Sequence, residues 1–168
     1  GSEMCIRDRI EGNQLTWVAK SQGARSGLRY DPDAGLDVYL PATANGLAWL
    51  AAVTDERALE LLSQHGMDQA KRMGPGAPQT LREVLERIDQ TRQRGHATVF
   101  DAYEQGTSAM AAVVCASTHG APIATVSIAG PSVRMTPERM EALAPDLLAC
   151  AKALGATSGQ SPLFASVN

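Results

Sequence analysis

The sequence has few aromatic residues and no marked excess of charge of either sign. Aromatics make up 4% of the chain, and 15 Lys and Arg stand against 18 Asp and Glu, for a net charge of -3. Domains that bind nucleic acid usually carry a clustered basic excess. The densest basic stretch, residues 87–94, is interrupted by Asp89 and follows Glu86, which is typical of a solvated helix face. The chain by itself is therefore not expected to hold DNA.

Cysteine and long apolar runs are also scarce. Three cysteines occur, at Cys5, Cys115 and Cys150, without a CxxC pair, which argues against a disulfide framework and a structural zinc site. This usage fits a reducing, cytoplasmic compartment. No apolar run approaches the roughly 18 residues needed to span a bilayer, and residues 1–14 lack the apolar core of a secretory signal. We expect no membrane segment, no metal and no cofactor.

What is present suits one soluble domain. The chain has 168 residues, of which 44% are hydrophobic, enough to bury a core. Residues 3–9 show neither a helical nor a strand period, so residues 1–11 are interpreted as a tag remnant or foreign, loosely attached leader. The domain is expected to span residues 12–155, followed by a loose tail over 156–168.

Hydrophobic periodicity and turn residues divide the domain into strands and helices. The helix over 80–94 is the most strongly marked, because Thr80 and Glu83 form a T-x-x-E capping box and Gly95 ends the run. A last helix begins at Thr136, with an expected kink or break at Pro145 and an end at Gly155. Strands are predicted over Leu15–Ser21, Leu36–Leu40, Ala97–Phe100, Ser108–Cys115 and Pro122–Ala129, and further helices begin at Thr43 and Thr54.

The order of these elements predicts an α+β fold. The turn over 117–121 joins two strands too closely for a crossover, so they should be antiparallel. Strands followed by helices, a hairpin pair and a final helix indicate an antiparallel sheet flanked by helices.

Three motifs then resemble a known family. Residues 127–132 (SIAGPS), followed by Arg134-Met135-Thr136, are similar to the closing signature of IclR-type bacterial transcription regulators. Residues 43–50 (TANGLAWL) resemble a helix start of the same family, and residues 103–106 (YEQG) resemble its Y-E-x-G element. The resemblance covers about residues 12–155. No single motif is specific, but three in the right order are.

The resemblance implies a GAF-like effector-binding domain with a small-molecule pocket. Such domains sense small carboxylates and pass the signal to an N-terminal winged helix-turn-helix, which this sequence lacks. The implied partners are therefore a carboxylate effector, a second copy in a homodimer or tetramer, and DNA only through the missing domain.

The resemblance also implies the residues of the pocket. Ala44 and Asn45 match positions whose backbone N–H groups face the ligand, and helix N-termini attract anions. Ser127 matches a serine that can hold a ligand oxygen. A simple capped helix, with Asn45 facing water, explains the first two residues equally well. The remaining implied positions are Tyr30, Val38, Thr107, Ala109 and Ala129. Val99 occupies a position where the family often has Asp, and Asp101, two residues further on, is the candidate to replace that acidic residue.

Several of these positions depart from the family pattern. Ala129 stands where many members have a second serine, and Ala109 stands where cysteine is common. The pocket should therefore be less polar than that of regulators that sense keto acids. We expect a bulkier or more apolar carboxylate, such as an aromatic acid.

Two other function classes remain open from the sequence. One is a stand-alone GAF-like sensor that is not coupled to DNA. The other is a small α+β enzyme, for which Cys115 and His119 are the nearest nucleophile and base. A hairpin tip seldom encloses a protected site, and neither His65 nor His96 has a partner at catalytic spacing. An enzyme is therefore not expected.

Overall fold

The computed structural model describes residues 4–11 and 14–21 by their backbone, and residues 38–116 and 120–158 in full. These described residues form five strands and four α-helices. The strands are β1 (Met4–Glu11), β2 (Gln14–Ser21), β3 (Ala97–Phe100), β4 (Thr107–Cys115) and β5 (Pro122–Pro131). The helices are α1 (Ala44–Ala52), α2 (Asp55–His65), α3 (Leu81–Arg94) and α4 (Pro137–Thr157).

The strands form one antiparallel sheet in the order β2-β1-β5-β4-β3. The antiparallel pairing of β4 with β5 confirms the predicted hairpin pair, although residues 117–119 of its turn lie outside the described residues. The α+β prediction is confirmed.

The strand β1 differs from the expectation of a loose leader over residues 1–11. Its backbone pairs with β5 from Met4 opposite Ala129 to Asp8 opposite Thr125, and with β2 on its other edge. Pairing of this kind uses main-chain groups, which every non-proline residue carries, so it does not require a period in the side chains.

Helices cover both faces of the sheet and create two cores. On one face, α1, α2 and α3 bury Leu47, Leu61 and Val84 together with Val99 and Ala111 of the sheet. On the other face, α4 buries a separate apolar cluster against β4 and β5. Its largest members are Met110, Ile128, Met135, Met140 and Leu147.

The capping residues of all four helices agree with the sequence signals. Thr43, Thr54, Thr80 and Thr136 each accept a hydrogen bond from the backbone N–H three residues later. Such a cap satisfies one of the first-turn donors that the helix cannot. The acidic half of the capping box is displaced by one residue, because Glu83 accepts from the N–H of Gln79 rather than of Thr80.

Three local predictions need correction. Val38 and Tyr39 are not in a strand, and Leu40–Ala42 forms a 3-10 turn, because Pro41 has no N–H and its fixed φ suits a first helical turn. Residues 36–37 lie outside the described part. The helix α4 continues through both Pro145 and Gly155 to Thr157. Gly155 does not end it but lets it approach the sheet, since a Cβ there would lie 2.1 Å from the carbonyl oxygen of Cys115.

Candidate functional site

The α1 face of the sheet carries the candidate site, and strand alternation decides which side chains line it. Ala109 lies opposite Ala129, and Ala111 lies opposite Ser127. Directly paired residues of an antiparallel pair point to the same face. Ala109 and Ala111 pack with the α1 core, so Ser127 and Ala129 share that face, while Met110 and Ile128 point toward α4.

The helix α1 covers this face with its N-terminal turn buried. The helix packs on β4 and β5, and Ala44 is 2% exposed. Thr43 Oγ1 accepts from the N–H of Gly46 at 3.0 Å. No residue that the structure describes accepts a hydrogen bond from the N–H of Ala44 or Asn45. These first-turn donors, with the positive end of the helix dipole, suit an anionic group.

Within the part of the chain that the structure describes, three buried side-chain oxygens have no hydrogen-bond partner. They are Asn45 Oδ1, Thr125 Oγ1 and Ser127 Oγ, in residues 9%, 1% and 1% exposed. Most buried polar atoms in proteins are bonded, and one that is not costs about 1–3 kcal/mol. Because Thr125 lies two residues before Ser127 on β5, the two hydroxyls share one face of the sheet, and Asn45 lies in the buried first turn of α1 that covers this face. A ligand that bonds them would remove this cost.

Thr125 is the residue that the sequence prediction missed. Strand alternation from Ser127 could have placed it on the same face. The Thr125 hydroxyl lacks a partner because of the way distant residues pack around it, and no local sequence pattern predicts that packing.

Several of the predicted positions lie on the α1 side of the sheet. Val38 and Ala109 pack against the α1 core, of which Ala44 is a member. Thr107 begins β4 opposite Pro131, on the same side of the strand as Ala109. Tyr30 lies outside the described residues.

Asp101 does not join them. It has φ 49 and turns out of β3, so that its Oδ1 accepts from the N–H of Gly106 and from Ser132 Oγ, both at 2.7 Å. Ser132 Oγ is in turn 2.8 Å from Ser108 Oγ, which projects from the α4 face together with Met110. The Oδ1 of Asp101 thus holds the β3–β4 turn against the start of the α4 segment, and its role as a substitute acidic pocket residue stays a prediction.

The described residues contain no arrangement suited to nucleophilic or metal chemistry. Burial raises the pKa of the Cys115 thiol, which opposes formation of a thiolate. His119 lies outside the described part, and the ring of His96 contacts only the carbonyl oxygen of Arg94 among the bonds found there. No group of three or more His, Cys, Asp and Glu among the described residues could hold a metal ion. No described helix is both long and apolar enough to cross a bilayer.

Comparison with known proteins gives a family match and several structural matches. The model of the family "Bacterial transcriptional regulator IclR C-terminal" matches residues 3–156. The transcriptional repressor IclR of Escherichia coli (strain K12) is 29% identical over 113 residues, which are 67% of this chain and 40% of that protein. The chain thus spans well under half the length of this curated relative.

Solved structures share the fold. The IclR protein of Thermotoga maritima superposes with a TM-score of 0.78 and 24% identity over 92% of this chain and 60% of that one. The inducer-binding domain of PobR from Acinetobacter, a double mutant solved with 3-hydroxybenzoic acid, gives a TM-score of 0.77 and 22% identity. That match covers 91% of this chain and 87% of the PobR domain.

Proposed function

Because the chain belongs to the family of C-terminal domains of IclR-type bacterial transcription regulators, we propose that it is a sensor whose effector is a small carboxylate. The observation that supports this most directly is the set of unpartnered polar groups under α1. Ser127 Oγ and Asn45 Oδ1 are buried without partners, and the N–H groups of Ala44 and Asn45 have none among the described residues.

The proposed roles follow from the chemistry of each group. The N–H groups of Ala44 and Asn45 donate to the carboxylate at the positive end of α1. The Ser127 hydroxyl donates to a ligand oxygen, and Asn45 Oδ1 accepts from a ligand hydroxyl. Val38, Thr107, Ala109 and Ala129 form walls with few polar atoms, which favours an apolar body such as an aromatic ring. Tyr30 stays a predicted wall residue.

The test is calorimetric titration of the chain with a panel of carboxylates, from glyoxylate and pyruvate to benzoate and hydroxybenzoates. Ser127→Ala should lower the affinity for the acids that bind by roughly tenfold, because a hydrogen bond to a charged group is lost. Asn45→Asp should lower the affinity for these acids further, because it places a negative charge beside the bound anion. An acidic residue suits the first turn of a helix, so this substitution should leave α1 intact. Ser63→Ala, at an exposed serine of α2, is the matched control.

Two outcomes would contradict the proposal. Unchanged affinity in both variants would remove the assigned pocket, and glyoxylate binding more tightly than every aromatic acid would remove the inference of an apolar effector.

In the complete regulator, effector binding is proposed to change the arrangement of paired sensor domains and so reposition DNA-binding heads. Coupling of this kind is typically about 1–3 kcal/mol. We expect a winged helix-turn-helix in the reading frame upstream, a cytoplasmic location, and a homodimer or tetramer. Light scattering with and without a bound acid tests the assembly, and a monomer under both conditions would contradict it.

A further inference from the structure

A groove of about 500 Å³ lies where the second half of α4 passes the end of β4. Its lining is mostly apolar, with one exposed lysine, and includes Gly95, Val113, Cys115, Leu148, Lys152 and Ala156. Leu148 stays 39% exposed, which is unusual for a large apolar side chain of this domain. An exposed apolar surface of this kind marks a place where another segment packs.

The second half of β4, which borders this groove, has an open strand edge on the side away from β5. β3 begins at Ala97, opposite Ala111, so the described part of the chain provides no strand partner on that edge from Ala112 to Cys115. On its other edge, β4 pairs with β5 as far as Cys115 opposite Pro122. An open edge beside an apolar groove lets an extended segment combine main-chain hydrogen bonds with side-chain contacts.

The residues that follow Ser158, the last one described, have a composition suited to packing. Residues 159–168 (GQSPLFASVN) contain no charged side chain, although 20% of the whole chain is charged, and they hold Leu163 and Phe164 side by side. Segments that stay unpacked in water usually combine low hydrophobicity with high net charge. Gly159 and Pro162 are typical of a turn, which suits a reversal of the chain after α4.

The segment that follows α4 is also long enough to fill the groove. Ala156 borders the groove two residues before the described part ends. From Ser158 back to Leu148, α4 rises about 15 Å, at 1.5 Å per residue. Residues 159–164 span up to about 20 Å when extended. A chain that reverses after α4 therefore brings Phe164 level with Leu148.

We propose that residues 159–168 dock in this groove as an extended segment that runs antiparallel to α4. Leu163 and Phe164 pack against Leu148, and the main chain of the segment lies beside the open edge of β4. The groove is thus an intramolecular docking surface, and the docked segment shields Cys115 from solvent.

The experiment measures the rate at which iodoacetamide modifies each cysteine of the whole chain, with mass spectrometry to assign the modified residue. Phe164→Ser should make Cys115 react about tenfold faster, because closure of the groove depends on the burial of this large apolar side chain. Cys150, an exposed residue of α4 that does not border the groove, should keep its rate and reports any general change. Gln160→Ser, in the same segment, is the matched control and should leave both rates unchanged.

A second variant tests the groove side of the same contact. Leu148→Ala should also speed the modification of Cys115, because it removes the surface on which Phe164 packs. If the two side chains act together, the double variant should react no more than about twofold faster than the faster single variant. Effects that multiply would show that Phe164 packs elsewhere and would overturn the inference.

Three further outcomes would overturn it. The first is an unchanged rate at Cys115 in Phe164→Ser. The second is an equal acceleration at Cys115 and Cys150, because that would show a general loosening of the fold. The third is a rate in the unaltered chain that falls as the protein concentration rises and does not respond to Phe164→Ser, because a second copy of the chain would then cover the groove.

Discussion

Gly46 shows at the residue scale how closely the start of α1 packs on the turn before it. A Cβ at this position would lie 2.2 Å from the carbonyl oxygen of Leu40 and 2.5 Å from its Cα. These are backbone atoms, so they cannot rotate away as a side chain would. The absence of a side chain at Gly46 therefore helps to place the buried first turn of α1.

Gly46→Ala is expected to lower the free energy of unfolding by about 1–3 kcal/mol, as overpacking does. The clash should outweigh the gain of up to about 1 kcal/mol that alanine brings to a helix interior. Urea denaturation measures the change. Gly130→Ala is the control, because a Cβ there meets only the flexible side chain of Met135 at 3.2 Å. Equal stability of the two variants would contradict the argument.

Residues of the site differ in how far the sequence could predict them. Ala44, Asn45 and Ser127 are predicted as site residues by the family resemblance of the motifs that contain them, and the structure places all three among buried residues. The missing partner of Thr125 could not be predicted, because hydrogen-bond satisfaction depends on distant neighbours. The positive φ of Asp101 and the bonds of its Oδ1 to Gly106 and Ser132 could not be predicted either, because both depend on the turn that follows β3.

Among the helices, α3 was predicted to within one residue, whereas the break expected in α4 was wrong. The period of α3 correctly places Val84 and Ile88 in the core, but Leu81 and Leu85 on the edge of the same face stay 43% and 39% exposed. In α4, the local rule that proline breaks a helix is overridden by packing. Pro145 lies on the exposed side, while Met140, Leu147 and Ala151 hold the helix to the sheet. Local patterns give the position of an element, and tertiary contacts decide its length.

Arg92 links the end of α3 to the junction between α1 and α2. Its Nε donates to the carbonyl oxygen of Ala51 at 3.0 Å, and a terminal nitrogen donates to that of Val53 at 3.3 Å. The same terminal nitrogen lies 2.8 Å from Asp55 Oδ1. The planar guanidinium thus meets carbonyl groups that the C-terminal end of α1 cannot bond within the helix.

Arg92→Lys is expected to lower the free energy of unfolding by about 1–2 kcal/mol, since an ammonium cannot reproduce this set of bonds. Arg82→Lys is the matched control, because Arg82 pairs only with Glu86 in the bonds found and its side chain is 88% exposed. Exposed pairs contribute about 0–1 kcal/mol. Urea denaturation of both variants measures the loss in free energy of unfolding. Equal losses in the two variants would contradict this expectation.

At the scale of the whole molecule, the sheet separates two cores with different tasks. The three unpartnered buried oxygens found among the described residues all lie on the α1 side. The α4 side is an apolar cluster whose buried serine, Ser108, has its partner in Ser132. One face is therefore organised for packing, and the other combines packing with the candidate effector site.

Leu147→Ala should separate these tasks. Leu147 is 2% exposed in the α4 core, and truncation of a buried leucine lowers the free energy of unfolding by about 2–5 kcal/mol. The affinity for a bound carboxylate should stay unchanged, whereas Ser127→Ala should weaken binding with little loss of stability. Urea denaturation and calorimetric titration of both variants measure this. A fall in affinity in Leu147→Ala would show that the two faces are coupled.

The position of β5 in the sheet also determines the order in which the chain can fold during synthesis. β5 lies between β1 and β4, yet it is the last strand to leave the ribosome. The hairpin of β1 and β2 emerges before the other described strands and remains without its third strand until β5 has been synthesised. Pairing between segments so distant in sequence is also slow to form. For that interval, the nascent chain exposes an open strand edge that other chains can pair with. Slower translation lengthens this exposure, so the yield of folded protein should depend on the rate of synthesis between β2 and β5.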